Sequence, residues 1–250
     1  MSASENAAGE TVNRPEAQGR ERRQRHLRSL QKAINNSYDT VLQTLEFDGL
    51  SVELLRVADV DTLLDRLPKI QFRPDERLPY WADLWPSCLA LSGYLWQAAD
   101  LEGVEVLELG CGLGLVGVVA CRKGGVVTLT DYEADALTFA RYNLYRNGCQ
   151  RAIVRHLDWH APQLRQTYGL VVASDVLYER TNFQAVLHLL QLALGRDGSF
   201  VLAEPNRPVA RDFFRLLRDH GFQYERSTVS SGITGEPVDV SIYHGCRRKG

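Results

Sequence analysis

Four acids, a run of glycines and a tyrosine mark where this chain could do chemistry. The first cluster is Glu108-x-Gly110-x-Gly112-x-Gly114, with Cys111 inside it. Glycine permits positive φ and lets a ligand approach the backbone with no Cβ in the way. A helix expected straight after the turn aims its free N–H groups at whatever sits above it. Asp131, at the tip of the next expected strand, can accept hydrogen bonds from both hydroxyls of a ribose. A nucleoside-bearing ligand is the natural occupant. Gly112 to Gly117 also fits the dinucleotide pattern G-x-G-x-x-G, but Glu108 just before the turn would repel a pyrophosphate. A ligand with a sulfonium and an α-amino group suits that acid instead. Asp158-Trp159 offers an acceptor for an adenine amino group beside a flat ring. Asp175-Val176-Leu177-Tyr178 then supplies an acid and a phenol for a second reactant.

These residues need a sheet to bring them together. Val104 to Leu109 and Val126 to Asp131 read as buried strands around an apolar helix, Leu115 to Arg122, which makes a β-α-β unit. Ala134 to Asn147 is amphipathic and stops at Asn147-Gly148. Arg151 to Leu157, Tyr168 to Ser174 and Ser199 to Ala203 are further strands, with helices Phe183 to Leu194 and Val209 to His220 between and after the last two. Phe222 to Ser230 and Val238 to His244 close the sheet as a hairpin. The expected fold is α/β: a Rossmann-like, seven-stranded, mostly parallel sheet with helices on both faces. Such sheets bind ligands outside the carboxyl ends of their strands where strand order reverses, here between the first and fourth strands. Asp158, Ser174 and Asp175 all fall at strand tips on that edge.

Ahead of the sheet, Leu78 to Pro86 holds Tyr80, Trp81 and Trp85 between prolines, with Pro86 fitted to begin a helix running to Ala98. The aromatics could simply close the domain, or they could cover the ligand. Further upstream, Val41 to Phe47, Asp48-Gly49 and Leu50 to Val57 spell a β-hairpin. Asp59 or Asp61 caps a short helix through Leu67, and His26 to Ile34 forms another. Residues 1–25 are expected to be a disordered polar and basic tail, 26–79 an extension carrying the hairpin, and 80–250 the ligand-binding domain.

The glycine cluster resembles the first motif of class I S-adenosylmethionine-dependent methyltransferases, E-x-G-x-G-x-G. Trp85-Pro86, Leu157-Asp158-Trp159 and the D-x-x-Y of Asp175 and Tyr178 resemble family 16, the seven-strand lysine methyltransferases. The resemblance covers Tyr80 to His244. It implies S-adenosylmethionine as cofactor, held by Trp85, Glu108, Gly110, Cys111, Gly112, Gly114, Asp131, Tyr132, Asp158, Trp159 and Ser174. It implies Asp175 and Tyr178 as catalytic residues and a protein lysine as methyl acceptor. Asp-Val-Leu-Tyr is not the Asn-Pro-Pro-Tyr used on planar amides and base amines, which points to an aliphatic amine. A methyltransferase of small-molecule amines, a non-catalytic module that binds the cofactor and, more remotely, a dinucleotide oxidoreductase remain as alternatives. Glu204-Pro205-Asn206-Arg207, after the fifth strand, faces the same side of the sheet and could shape the acceptor pocket.

Composition narrows the field. The chain has 250 residues, 44% of them hydrophobic and 24% charged, with a net charge of −2. That suits a soluble globular protein and gives no global basic field for nucleic acid. No apolar run reaches the roughly 18 residues that span a bilayer. Arg20 to Arg28 is arginine-rich, but the acids Glu5, Glu10, Glu16 and Glu21 argue against a transit peptide and favour a solvated helix start. No secretory leader is read at the start. The five cysteines form no C-x-x-C pair, so buried free thiols in a reducing cytoplasm are expected, with neither a disulfide framework nor a metal site.

Overall fold

The computed structural model describes residues 14–65, 79–232 and 237–248. Helix α1 (Arg14–Asn35) leads into a hairpin of β1 (Thr40–Phe47) and β2 (Leu50–Val57), followed by the short α2 (Val60–Asp65). The helix α1 starts well before His26, so the segment 14–25 expected to be disordered is helical; residues 1–13 lie outside the described residues. Arg23 explains part of that earlier start, because its guanidinium donates to the Tyr145 and Arg146 carbonyls. A tertiary contact of this kind has no signature in local periodicity. In the hairpin Phe47 pairs with Leu50, and Asp48 and Gly49 both have positive φ, +38° and +85°. Those are the signs that a two-residue primed turn requires. The Asp59 carboxylate accepts the Thr62 N–H at 3.0 Å and is the cap of α2, whose expected continuation to Leu67 lies outside the described residues.

The main sheet contains β3 (Glu105–Leu109), β4 (Val126–Asp131), β5 (Ile153–His156), β6 (Tyr168–Ser174), β7 (Leu194–Glu204), β8 (Phe222–Ser231) and β9 (Val238–Arg247). Its order is β5-β4-β3-β6-β7-β9-β8, and β9 runs antiparallel to both neighbours while the other pairs are parallel. This is the seven-stranded, mostly parallel sheet expected, with β3 and β6 adjacent at the reversal. Its helices are α3 (Pro86–Ala98), α4 (Leu115–Arg122), α5 (Ala134–Arg146), α6 (Phe183–Ala193) and α7 (Ala210–Asp219).

Strand alternation divides the interior in two. Val106, Leu170, Val172, Val201 and Ala203 face one core, shared with α3, α4, α5 and the hairpin. Leu107, Leu109, Val171, Ala173, Phe200 and Leu202 face the other, beneath α6 and α7. A period of two decides which side each residue serves. Glu108, between Leu107 and Leu109, therefore falls on the α3–α4 side.

The hairpin is fastened by amides rather than by apolar contact alone. The Asn143 side chain on α5 is fully buried; it accepts the Leu55 N–H at 2.7 Å and donates to the carbonyls of Leu55 (3.0 Å) and Leu113 (2.9 Å). Asn147 repeats the pairing with Glu53. Asn143 so links the extension to the glycine turn. The cysteine expectation needs one correction. Cys121, at the end of α4, and Cys149, before β5, are disulfide-bonded with Cα atoms 6.1 Å apart; Cys88, Cys111 and Cys246 are free. Their separation of 28 residues matches no short motif, so only the fold pairs them.

Candidate active site

Gly110, Gly112 and Gly114 all have positive φ, +65°, +50° and +81°. Each also has close neighbours. A Cβ on Gly110 would lie 3.2 Å from both the Trp159 ring and Val176, and one on Gly112 would lie 3.2 Å from the Trp81 carbonyl oxygen. The indole of Trp159, expected beside the adenine, thus lies over the start of the turn. Trp81, not Trp85, has its backbone against the middle of it. Trp81 was missed because nothing in the spacing ranks it above Trp85; its ring packs on Phe139 and Tyr38.

Asp131 is mostly buried at 8% exposure, and its carboxylate is already at work inside the chain. Oδ2 accepts the Gly112 N–H at 2.9 Å and Oδ1 the Glu133 N–H at 3.0 Å. The acid therefore ties the turn to the end of β4. Each carboxylate oxygen retains further acceptor capacity, so a ribose can still be recognised there. Cys111 is buried between Gly110 and Gly112; burial, then Asp131 and Glu108, push its thiol well above the usual range. Tyr132 is half-exposed against His156, with ring centroids 5.1 Å apart. Asp158 accepts the His160 N–H at 2.9 Å.

Glu108 is buried to 2% exposure and its Oε2 has no partner among the described residues. Burial pushes its carboxyl well above the ordinary value; the Gly117 N–H works against that shift and the Asp131 charge adds to it. Trp159 Nε1, Asp175 Oδ2 and, on α3, Ser87 Oγ and Ser92 Oγ are likewise buried and partnerless among the described residues. Buried polar atoms are nearly always satisfied, so the orphans on β3 (Glu108) and just after β5 and β6 (Trp159, Asp175) make this edge of the sheet the candidate ligand site. An adenosyl sulfonium with an amino-acid tail suits them: cationic centres for Glu108, and acceptors for the indole N–H.

The second half of the site forms around Asp175. This residue follows β6 with φ +61°, a left-handed backbone that is costly for a side chain other than glycine. Its N–H donates to the Ala203 carbonyl at 3.0 Å. Cys88, in the first turn of α3, lies within electrostatic reach of Glu108, Asp175 and Asp83. Burial and then those three carboxylates drive its thiol far up. Cys88 thus reports that acids from three separate segments converge here, a juxtaposition with no short-range signal. Ser174, at the tip of β6, is partly buried beside Asp175. Tyr178 is 40% exposed and Tyr80 47%, with ring centroids 5.7 Å apart. Trp85 joins them, its ring 6.2 Å from that of Tyr80 and its Nε1 donating to the Tyr80 carbonyl. The structure therefore places Trp85 with the aromatics beside Tyr178.

Comparison with known proteins shows the family. Residues 68–220 match the family model described as lysine methyltransferase. EEF1A lysine methyltransferase 3 of Mus musculus is 34% identical over 180 residues, covering 69% of this chain and 75% of that protein. Protein N-lysine methyltransferase METTL21A of Danio rerio is 37% identical over 186 residues, covering 70% and 81%. Among solved structures, magnesium protoporphyrin IX methyltransferase from Synechocystis PCC 6803, with bound SAM, superposes with a TM-score of 0.53. At 21% identity over 64% of this chain and 78% of that one, the likeness is one of fold.

Proposed function

The chain belongs to the lysine methyltransferase family, and from that premise we propose that it methylates the ε-amine of a lysine in a protein substrate. S-adenosylmethionine is the cofactor and supplies a methyl group on a sulfonium that leaves readily. The chain's own residues then have to bind, align and deprotonate. Glu108 and the turn Gly110 to Gly114 would hold the amino-acid end, Asp131 the ribose, and Asp158 and Trp159 the base. Trp85, Cys111, Tyr132 and Ser174 would border the same ligand. Asp175 would orient the incoming amine by hydrogen bond, with Tyr178 walling the approach and Tyr80 extending that wall. A lysine enters charged, and the partly desolvated slot lowers its pKa so that it yields a proton to water. Alignment then accounts for most of the rate.

The observation that carries this reading is Asp175 Oδ2, a buried acceptor without a partner, in one cluster with the orphaned Glu108. Residues 80–250 serve as the catalytic unit, since every residue named here falls within them. No helix among the described residues is long and apolar enough to cross a membrane. We place the protein in the cytoplasm, supported by the three free thiols; the Cys121–Cys149 bond is the observation against it.

Incubating the protein with methyl-labelled cofactor and a lysate, then hydrolysing labelled protein bands to amino acids, tests the proposal. Methyl-lysine supports it. Label confined to small solutes, or found on histidine, contradicts it. Hydrolysis to amino acids separates these two protein acceptors.

A further inference from the structure

An acid at the acceptor position raises a difficulty. A lysine amine has a pKa of about 10.4 in water and accepts a methyl only when neutral. A bare carboxylate within hydrogen-bond reach would hold it in the charged form. The acids that bear on the site are Asp175 itself, Glu204 from the end of β7, which feels the Asp175 charge, and Glu108 and Asp83, which with Asp175 act on the Cys88 thiol. Tyr178 and the Cys88 thiol are its neutral titratable neighbours, and Arg207 its cation.

Arg207 sits where it can settle that difficulty. Its Nη1 forms an ion pair with Asp175 Oδ1. The same nitrogen lies 3.4 Å from Glu204 Oε1, and the Arg207 backbone N–H donates to Glu204 Oε2 at 2.9 Å. Glu204 is 1% exposed; burial raises its carboxyl, with the Arg207 charge opposing that shift. The loop is further locked by Asn206, whose φ is +65°. Its amide donates to the Asp239 carbonyl at 2.8 Å and accepts from Arg226 at 2.8 Å and from the Ser241 hydroxyl at 2.5 Å. A guanidinium held this firmly fixes one oxygen of Asp175 and leaves the other without a partner among the described residues.

We propose that Arg207 is a positioning residue for the acceptor. It orients and neutralises the Asp175 carboxylate, so that the remaining oxygen can accept a hydrogen bond from a lysine amine without keeping that amine charged. Glu204 holds the guanidinium in place. This inference rests on the proposed lysine methylation.

The test is the pH profile of kcat/KM on a lysate protein that the wild type labels on lysine. Arg207→Gln is expected to move the acid limb alkaline by about one unit, so that activity near neutral pH falls about 10-fold and recovers at high pH. Arg207→Lys keeps a cation beside Asp175 and is expected to leave the limb close to its wild-type position. Binding of S-adenosylhomocysteine by calorimetry checks that each variant is folded. A fall in activity by the same factor at every pH, or an unmoved limb in Arg207→Gln, overturns the inference while leaving lysine methylation standing. If Arg207→Gln does not fold, Arg207→Ala is read in the same way: an alkaline shift of the acid limb supports the inference and an unmoved limb overturns it. If the wild type labels no lysine, the parent reading falls and takes the inference with it.

Discussion

The two halves of the site are built on opposite plans. Around Gly110 to Gly114 one contiguous turn is the frame: Asp131 takes the Gly112 and Glu133 N–H groups, Trp159 and Trp81 lie directly on the turn, and Glu108 Oε2 and Trp159 Nε1 have no partner among the described residues. Around Asp175, whose Oδ2 is the open acceptor, the parts come from separate segments, near residues 80, 88, 178 and 207. A shape that every nucleoside cofactor of one kind shares can be preorganised in a contiguous stretch. An acceptor that varies must be met by side chains gathered across the sheet edge. The difference predicts that damage to one half is read in binding, and damage to the other in turnover.

The largest effect should come from Asp175→Ala. Turnover is expected to fall on the order of 10²–10³-fold, since one aligned polar contact at the reacting centre is worth about that much. Affinity for S-adenosylhomocysteine should stay within about twofold by calorimetry. Loss of both would mean that the two halves are not separable. Gly112→Val should show the converse. Its side chain would strain a backbone at φ +50° and press on the Trp81 carbonyl. A cost of about 1–3 kcal/mol would weaken cofactor binding roughly 5- to 150-fold.

Glu108 sharpens the comparison through pH. Because burial raises its carboxyl, the free protein retains that proton above the ordinary carboxyl range. A bound cation favours the carboxylate, so binding releases a proton and affinity rises with pH through that window. Without ligand the sign is the reverse: the neutral acid's contribution to stability is complete below the ordinary value and is lost as pH rises through the elevated one. Glu108→Gln should remove both slopes, as followed by calorimetry and thermal unfolding. The smallest effect is expected from Tyr80→Ala: a severalfold rise in KM for the protein substrate with kcat nearly unchanged, as steady-state kinetics would show.

The contrast also explains what could be read from residues alone. The turn, Pro86 at the start of α3, the Asp48-Gly49 hairpin and the seven strands all follow from local periodicity and backbone freedom. So did the position of Asp175 directly after a strand tip. Arg207 was visible as a residue but not as a partner, because its meaning lies in a contact with a loop that precedes α6. Cys88, Trp81 and the Cys121–Cys149 bond stayed hidden for the same reason. The early start of α1 did too, since Arg23 finds its acceptors at the far end of α5.

A crystal grown with S-adenosylhomocysteine would test the central claim most directly. The ligand should lie above Gly110 to Gly114, with its amino group toward Glu108, its ribose toward Asp131 and its sulfur facing the Asp175 side. A ligand bound elsewhere, or one whose sulfur turns away from Asp175, would contradict the account.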